Sequence, residues 1–200
     1  MWVFGYGSLV WYTNFPVEKA VSGYLKGYSR RFWQASPDHR GTHDKPGRTA
    51  TLVPDPEGTV WGIAYRIPDE KVIEVQAYLA WREKAGYQPV KVMFHPDQKA
   101  DCAESSATDD PFIVDVFLTP KNDAHFVGPE SIDEIAESVV VCAGPSGTNI
   151  DYVLRLAHWL RRTHPNVADA HLFALETKVL QLCRERQIRD TVFDELGYLL

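Results

Sequence analysis

Strand patterns fill the first half of this chain, and helix patterns dominate its last third. Six short segments predict β-strands at residues 2–5, 23–34, 48–53, 59–67, 90–95 and 112–118. The helix patterns follow mainly after residue 130. Because the strands precede these helices instead of alternating with them, the order of elements favours an α+β fold over a doubly wound parallel sheet.

Three signals place helices in the last third of the chain. Ser131 and Glu134 have the spacing of a capping box, which predicts a helix that reaches about Cys142. Asn149 is a candidate cap for the next helix, and residues 167–188 carry apolar side chains at the helical period. We therefore expect this part of the chain to be helical.

The composition fits one soluble domain. Of the 200 residues, 44% are hydrophobic, which is enough for one substantial core, and no segment resembles an interdomain linker. We therefore predict a single domain over residues 1–200, with a polar, acidic surface loop near residues 96–110. The sequence carries neither a signal peptide nor a long apolar run, which favours a cytoplasmic location.

The net charge argues against two classes of partner. With 21 basic and 27 acidic side chains, the chain has a net charge of −6 and lacks the positive surface that binds nucleic acid or an anionic membrane. One local exception lies between residues 28 and 48 and contains Arg30, Arg31, Arg40, Lys45 and Arg48. Such a segment can bind an anion, but it more often forms strand edges and solvated loops.

Neither the cysteines nor the histidines predict a metal site. Cys102, Cys142 and Cys183 lack CxxC spacing, which argues against both zinc binding and a disulfide framework. Cys142 and Cys183 lie in apolar patterns typical of buried, inert cysteine, although a catalytic role for a thiol stays open as an alternative. His39 and His43 lie among loop-forming residues and no HExxH motif occurs, so no metal is expected.

An acidic residue continues the apolar face of a predicted helix. This helix runs from Asp69, a candidate N-cap, to Gly86, a candidate stop signal. Its apolar face is formed by three residues within about 60° of one another, namely Val72, Val75 and Leu79. Glu83 follows four positions after the last of these and falls in the same sector. Glu74 falls nearly opposite and should be solvated.

Glu83 has two interpretations. It either frays outward or pairs with a buried arginine, which would be a structural role. Alternatively, it is partly desolvated beside the negative end of the helix dipole, which would raise its pKa and suit it to proton transfer.

A glycine-rich turn follows the first predicted strand. In MWVFGYGSLVW the strand runs into Gly5, Tyr6, Gly7 and Ser8, where glycine permits positive φ and lets backbone N–H groups converge on a carboxylate. The same turn is also compatible with the simple closure of a hairpin. The dinucleotide-binding fingerprint GxGxxG needs a third glycine at position 10, and this position is Val10, so the turn does not match it. Ser8 lacks the sequence context of an activated nucleophile.

Several motifs occur together and in a fixed order. They are FGYGSL, SRRFWQ followed by DHRG and KPGR, VWGIAYR, YLAWREKAGY and AGPSGTNIDYVLRLA. Over roughly residues 1–176, this set resembles the ChaC family of glutathione-specific γ-glutamylcyclotransferases. The resemblance implies a γ-glutamylcyclotransferase-like fold, a small mixed or closed β-sheet surrounded by helices.

The resemblance also implies a site. The acid/base glutamate of the family corresponds to Glu83. The implied substrate-binding residues are Val3, Phe4, Gly5, Tyr6, Gly7, Ser8, Leu9 and Tyr152. The turn at residues 3–8 would supply backbone donors to a carboxylate or a developing oxyanion. For Tyr152, an interfacial structural role fits as well as a substrate contact.

The implied activity is a lyase reaction that forms a lactam. The α-amine of glutathione attacks the γ-carbonyl of the same γ-glutamyl group, which releases 5-oxoproline and cysteinylglycine. Because the substrate supplies the nucleophile, no metal, other cofactor or ATP is needed, and Glu83 can move the protons.

Two other classes of function stay open from the residues alone. A noncatalytic module would use the same turn and basic segment to hold an acidic metabolite or γ-glutamyl peptide. Turnover of glutathione separates that module from an enzyme. A nucleotide-dependent oxidoreductase would bind a nicotinamide or flavin, and the missing third glycine argues against it.

Overall fold

The chain forms strands and helices, and five of the strands close into a barrel. The computed structural model describes residues 1–82, 88–97 and 110–199. Most of the polar loop predicted near residues 96–110 lies outside the described residues. Three residues discussed above also lie outside the described residues, namely Glu83, Gly86 and Cys102. The predicted α+β class is confirmed.

Contacts divide the chain into two compact units. Unit 1 comprises Met1–Ser29 and Leu52–Pro120. Unit 2 comprises Arg30–Thr51 and Lys121–Leu200. The single domain predicted over residues 1–200 stays a prediction.

The barrel follows the strand order β1-β3-β2-β4-β5. Its strands are β1 (Trp2–Gly5), β2 (Lys19–Ser36), β3 (Gly47–Arg66), β4 (Gln88–Pro96) and β5 (Phe112–Leu118). Strand β1 pairs antiparallel with β3, and β4 pairs antiparallel with both β2 and β5. A parallel contact between Val3 of β1 and Asp115 of β5 returns the sheet to its first strand and closes it.

Strand β3 is continuous where the sequence predicts two strands. The predicted segments, residues 48–53 and 59–67, are separated by a stretch that contains two prolines. The backbone stays extended through this stretch. Ser29 of β2 donates a hydrogen bond to Asp55, which lies between the prolines, at 2.5 Å. The predicted break is therefore wrong, because a cross-strand contact outweighs the local preference of proline.

Helix α1 (Val72–Arg82) buries the face that the sequence predicts. Val75 and Leu79 are 1% and 0% exposed, and Val72 is partly buried. They pack in one apolar cluster with four residues of the barrel and its adjoining turns, Val3, Leu9, Tyr65 and Ile67. The apolar face therefore fixes which side of α1 meets the barrel.

The start of this helix differs from the prediction. A 3₁₀ turn at Asp69–Lys71 precedes α1, and Pro68 occupies its N-cap position, so the expected Asp69 cap is wrong. Asp69 instead accepts a hydrogen bond from Arg66 at 2.8 Å. Glu74 is exposed and pairs with Lys71 at 2.8 Å, which confirms that this face is solvated.

Unit 2 is largely helical in the described part of the chain. Its helices are α2 (Ile132–Val139), α3 (Asn149–Thr163), α4 (Ala170–Glu185) and α5 (Thr191–Leu196). A short hairpin of β6 (Ala143–Gly144) and β7 (Gly147–Thr148) separates α2 from α3. The predicted capping box is confirmed, since Ser131 Oγ accepts from the Glu134 N–H at 3.2 Å and Glu134 accepts from the Ser131 N–H at 2.9 Å.

Two helix boundaries differ from the prediction. Helix α2 ends at Val139 and not near Cys142, because the chain enters the hairpin there, and Cys142 O accepts from the Asn149 N–H at 2.9 Å. Thr148 caps α3 in place of Asn149, since its hydroxyl accepts from the Asp151 N–H at 3.1 Å. The apolar pattern before residue 188 forms α4, and α5 is an addition that the sequence did not predict.

A partly buried histidine lies in unit 2 near the start of α4. His171 Nε2 accepts a hydrogen bond from the Phe32 N–H at 3.2 Å, and its ring stacks on Phe32 with centroids 6.0 Å apart. Burial, aided by the charge of Arg31, lowers the pKa of His171 to about 4. The folded chain therefore favours the neutral ring.

We predict that His171 makes folding stability depend on pH. Its pKa is about 4 in the folded chain and 6.5 in the reference state, so the unfolded chain binds more protons between these values. The stability that His171 contributes should be present above about pH 6.5 and lost as the pH falls towards about 4. Urea unfolding at about pH 5 and about pH 7 measures this loss. The loss should be smaller in His171→Gln, and an equal loss in both proteins would refute the prediction.

Candidate active site

The glycine-rich turn connects β1 to a short 3₁₀ turn at Ser8–Val10 in unit 1. The Val10 N–H donates to Gly7 O at 3.1 Å, and the Tyr12 N–H donates to Ser8 O at 2.9 Å. The chain thus folds back immediately after the glycines. The sequence allows a positive φ at Gly7, but its φ is −123°.

Close packing, and not positive φ, explains the glycine at position 5. A Cβ atom on Gly5 would lie 2.7 Å from Leu9 Cβ and 3.3 Å from the ring of Tyr65. On the paired strand β3, a Cβ atom on Gly62 would lie 2.2 Å from the Gly5 oxygen. Both positions therefore need a residue without a side chain for the turn to lie against its neighbours.

Two tyrosine hydroxyls hold this turn in place. Tyr65 donates to Leu9 O at 2.7 Å, and Tyr6 donates to Phe117 O at 2.6 Å. Burial raises the pKa of Tyr65 well above its ordinary value, so its hydroxyl keeps the proton that it donates. The turn is thereby fixed to the barrel on both sides of its glycine at position 7.

The predicted substrate-binding residues of the turn fall into two groups. Four of them have buried side chains, Val3, Phe4, Tyr6 and Leu9. Together with Gly5, these residues support the turn from the inside. Gly7 and Ser8 are partly exposed. A ligand in solvent can therefore approach this turn at Gly7 and Ser8.

The turn and helix α1 share one apolar cluster. Leu9 belongs to the same cluster as Val75 and Leu79 of α1. Glu83, the predicted acid/base residue, follows Leu79 by four positions in the sequence and lies outside the described residues. The helix that leads to Glu83 is thus packed against the segment predicted to bind the substrate.

Tyr152 is buried in the first turn of α3, in unit 2. Its hydroxyl accepts a hydrogen bond from the Ala50 N–H at 3.2 Å. Its ring meets Phe32 edge-on with centroids 6.1 Å apart, and the Arg40 guanidinium carbon lies 5.4 Å from the ring centroid. These contacts give Tyr152 a structural role, and its contact with substrate stays a prediction.

Asn149 has a role that the sequence did not reveal. Its side-chain amide accepts from the Arg48 N–H at 2.5 Å and donates to Arg48 O at 2.8 Å. The amide thus pairs with the backbone of Arg48 in the way that a residue of a neighbouring strand does. Gly47 makes room for this amide, because a Cβ atom there would lie 2.6 Å from Asn149 Oδ1. The AGPSGTNIDYVLRLA motif is the sequence signal that could have drawn attention to this residue.

Three arginines of the basic segment form ion pairs within unit 2. The pairs are Arg30 with Asp169 at 2.6 Å, Arg40 with Asp151 at 2.7 Å and Arg48 with Glu130 at 2.8 Å. Each guanidinium thus faces a carboxylate of this chain. The basic segment therefore serves internal structure at these positions, with Arg30 and Arg40 buried and not in the solvated loops that the sequence favoured.

The cysteines that the structure describes are poor nucleophiles. Burial raises the pKa of Cys142 and raises that of Cys183 to about 11, so both thiols are protonated near neutral pH. Within the described residues, no three His, Cys, Asp or Glu side chains are placed to hold a metal ion. No helix in the same part of the chain has the length and apolar character to span a membrane.

Comparison with known proteins identifies relatives along most of the chain. A family model described as ChaC-like protein matches residues 1–182. Glutathione-specific γ-glutamylcyclotransferase 1 of Danio rerio is 38% identical over 186 residues, which cover 92% of this chain and 91% of the fish protein. The glutathione-specific γ-glutamylcyclotransferase of Schizosaccharomyces pombe is 33% identical over 194 residues, which cover 90% and 92%.

Solved structures share this fold. The crystal structure of the γ-glutamylcyclotransferase specific to glutathione from yeast superposes with a TM-score of 0.82 at 30% identity, covering 90% of this chain and 96% of the yeast chain. A structure titled γ-glutamyl cyclotransferase, 11% identical, has a TM-score of 0.52 over 98% of this chain and 97% of its own. The predicted γ-glutamylcyclotransferase-like fold is confirmed.

We predict that Tyr65→Phe lowers the free energy of unfolding by about 1 to 2 kcal/mol, because the buried carbonyl of Leu9 loses a hydrogen bond. Tyr28→Phe is the matched control, since the Tyr28 hydroxyl forms no hydrogen bond in the described part of the chain. The control should change stability by less than about 0.5 kcal/mol. Urea unfolding measures both variants, and equal losses would show that the Tyr65 hydroxyl does not anchor the turn.

Proposed function

The chain belongs to the ChaC-like protein family, and we propose that it is a glutathione-specific γ-glutamylcyclotransferase. Such a lyase converts glutathione into 5-oxoproline and cysteinylglycine. The observation that carries the proposal is 38% identity, over 92% of this chain, to a fish protein of that name. The TM-score of 0.82 to the yeast structure specific to glutathione adds support from the fold.

The reaction is a transfer of the γ-acyl group to the α-amine of the same substrate. A bond forms between the α-nitrogen and the γ-carbonyl carbon, and the bond from that carbon to the cysteine nitrogen breaks. The α-ammonium loses one proton before attack, and the α-nitrogen loses a second as the lactam forms. The departing nitrogen gains one proton as its bond to the carbonyl carbon breaks, and the released amine takes up the other from solvent. Holding both reacting atoms in one molecule in a ring-closing geometry removes much of the entropic barrier.

Glu83 is the proposed catalytic residue. Its carboxylate takes a proton from the attacking amine and returns a proton to the leaving nitrogen. The sequence register supports this role, because Val75 and Leu79 are buried and Glu83 follows Leu79 by one further helical repeat of four residues. The packing of α1 against Leu9 supports it further, since it links this helix to the glycine turn.

The glycine turn is the proposed substrate-binding segment. Gly7 and Ser8 are its partly exposed residues, and their backbone would donate hydrogen bonds to the glutamyl carboxylate or to the developing oxyanion. The other predicted contacts, Val3, Phe4, Gly5, Tyr6 and Leu9, would set the position of this backbone. Tyr152 is proposed as a further substrate contact, held by Ala50 and Arg40.

The chemistry requires no nucleophile from the protein and no cofactor. Protonated Cys142 and Cys183 are compatible with this, because neither thiol is activated for attack. The family model, which runs from residue 1 to 182, supports one domain for the reaction. The net charge of −6 supports a small molecule as partner over nucleic acid or a membrane, and we propose the cytoplasm as the location.

Incubation of the purified chain with glutathione tests the proposal directly. The enzyme forms 5-oxoproline and cysteinylglycine in equal amounts, and chromatography measures both. A noncatalytic binding module would retain glutathione and release it unchanged. That outcome would contradict the enzymatic function and favour the noncatalytic binding module.

We predict that Glu83→Gln lowers kcat by at least about 100-fold, because the amide keeps the shape of the side chain but cannot transfer protons. Circular dichroism should show an intact fold. Glu74→Gln is the matched control on the exposed face of α1 and should retain near-normal turnover. A folded Glu83→Gln protein with normal turnover would remove Glu83 from the mechanism.

We also predict that glutathione acetylated at its α-nitrogen is not cleaved. The acetyl group leaves the γ-amide intact but removes the nucleophile that closes the lactam. Unmodified glutathione in the presence of a metal chelator is the control and should be cleaved at the normal rate. Release of cysteinylglycine from the acetylated substrate would mean that water or a protein side chain attacks the γ-carbonyl.

A further inference from the structure

The caps of two helices in unit 2 are hydrogen-bonded to each other. Thr148 caps α3 by accepting from the Asp151 N–H at 3.1 Å, and its own hydroxyl proton is donated to Asp190 Oδ2 at 2.5 Å. Asp190 in turn caps α5, because its Oδ1 accepts from the Val192 N–H at 3.1 Å. The start of α3 is thus tied to the start of the last helix.

A second link joins the same two helices. Arg155 of α3 donates to Asp151 Oδ1 at 2.6 Å and also to Glu195 of α5. Asp151 uses its other oxygen to accept from Arg40 at 2.7 Å, and the guanidinium of Arg40 lies over the ring of Tyr152. A continuous set of contacts therefore leads from α5 to Tyr152.

The segment that contains α5 is anchored at both ends. Val192 and Phe193 are 0% and 5% exposed, so α5 buries its apolar side chains. Beyond the helix, Tyr198 donates to the buried carboxylate of Glu176 at 2.6 Å. The family model ends at residue 182, before this segment. A part of the chain outside the matched region therefore supports the motif that carries Tyr152.

We infer that Asp190 is a positioning residue that acts through Thr148 to fix the start of α3, and with it Tyr152, for substrate binding. The inference rests on the proposed function. Asp190 contacts Thr148 and the N-terminus of α5 and acts on the substrate only through Tyr152. Its substitution should therefore weaken substrate binding and leave proton transfer unchanged. A substrate contact that is free to shift loses binding energy without a change in the reacting groups.

Steady-state kinetics with glutathione, together with amide hydrogen exchange, tests this inference. In Asp190→Ala we expect KM to rise by at least about 5-fold, kcat to stay within about 2-fold, and exchange to increase at residues 148–152. Glu137→Gln is the matched control, because it removes an exposed ion pair between α2 and Arg186, which lies four residues before Asp190. The control should leave both KM and exchange at residues 148–152 unchanged.

Thr148 provides an independent pair of variants that settles the inference if Asp190→Ala does not fold. Thr148→Ser keeps the hydroxyl and should behave as the unmodified chain. Thr148→Val removes it at similar volume and should reproduce the rise in KM and in exchange. An unchanged KM in folded Asp190→Ala, or equal behaviour of the serine and valine variants, overturns the inference.

Hydrogen exchange separates this inference from the proposed function. If the unmodified chain does not cleave glutathione, the proposed function fails, and the exchange data alone decide whether Asp190 positions α3. Unchanged exchange at residues 148–152 in Asp190→Ala and Thr148→Val then overturns the positioning role. Normal cleavage by the unmodified chain together with unchanged KM in both variants overturns the inference and leaves the proposed function intact.

Discussion

The apolar contact between α1 and the N-terminal turn is the interaction on which the candidate site depends. Leu9 of the turn shares a cluster with Val75 and Leu79 of the helix. Burial of a leucine side chain contributes about 1.5 to 3 kcal/mol, so the cluster strongly favours one rotation of the helix about its axis. A shift of one residue would turn the apolar face of α1 by about 100° away from the turn.

This contact matters because the proposed chemistry depends on placement more than on a reactive group. The substrate supplies both the nucleophile and the electrophile, so the protein must hold a folded γ-glutamyl group beside one proton-transfer residue. The turn that we propose to bind the substrate has buried supports, because Tyr65 and Tyr6 donate hydrogen bonds to backbone carbonyls. Protonated, buried Cys142 and Cys183 fit a mechanism without a protein nucleophile.

The sequence predicts features whose cause is local and misses those whose cause is distant along the chain. The capping box at Ser131 and the buried face of α1 follow from spacing alone, and both are confirmed. Within the continuous strand β3, Asp55 contacts Ser29 of β2, and Asn149 contacts the backbone of Arg48 about 100 residues earlier. Neither contact is visible in a local window of the sequence. The close packing that requires glycine at position 5 involves Leu9 and Tyr65, and the contact with Tyr65 of β3 is likewise distant along the chain. The role of Glu83 came from its register and family resemblance, and it stays a prediction.

Intramolecular attack by the α-amine is the central claim, and turnover of glutathione in water enriched in ¹⁸O tests it most directly. Closure of the lactam consumes no water, so mass spectrometry should find 5-oxoproline without ¹⁸O from the solvent. Attack by water would instead produce free glutamate with one ¹⁸O in its γ-carboxylate. Labelled glutamate as the primary product would contradict the mechanism, whereas unlabelled 5-oxoproline in equal amount to cysteinylglycine is the result that it predicts.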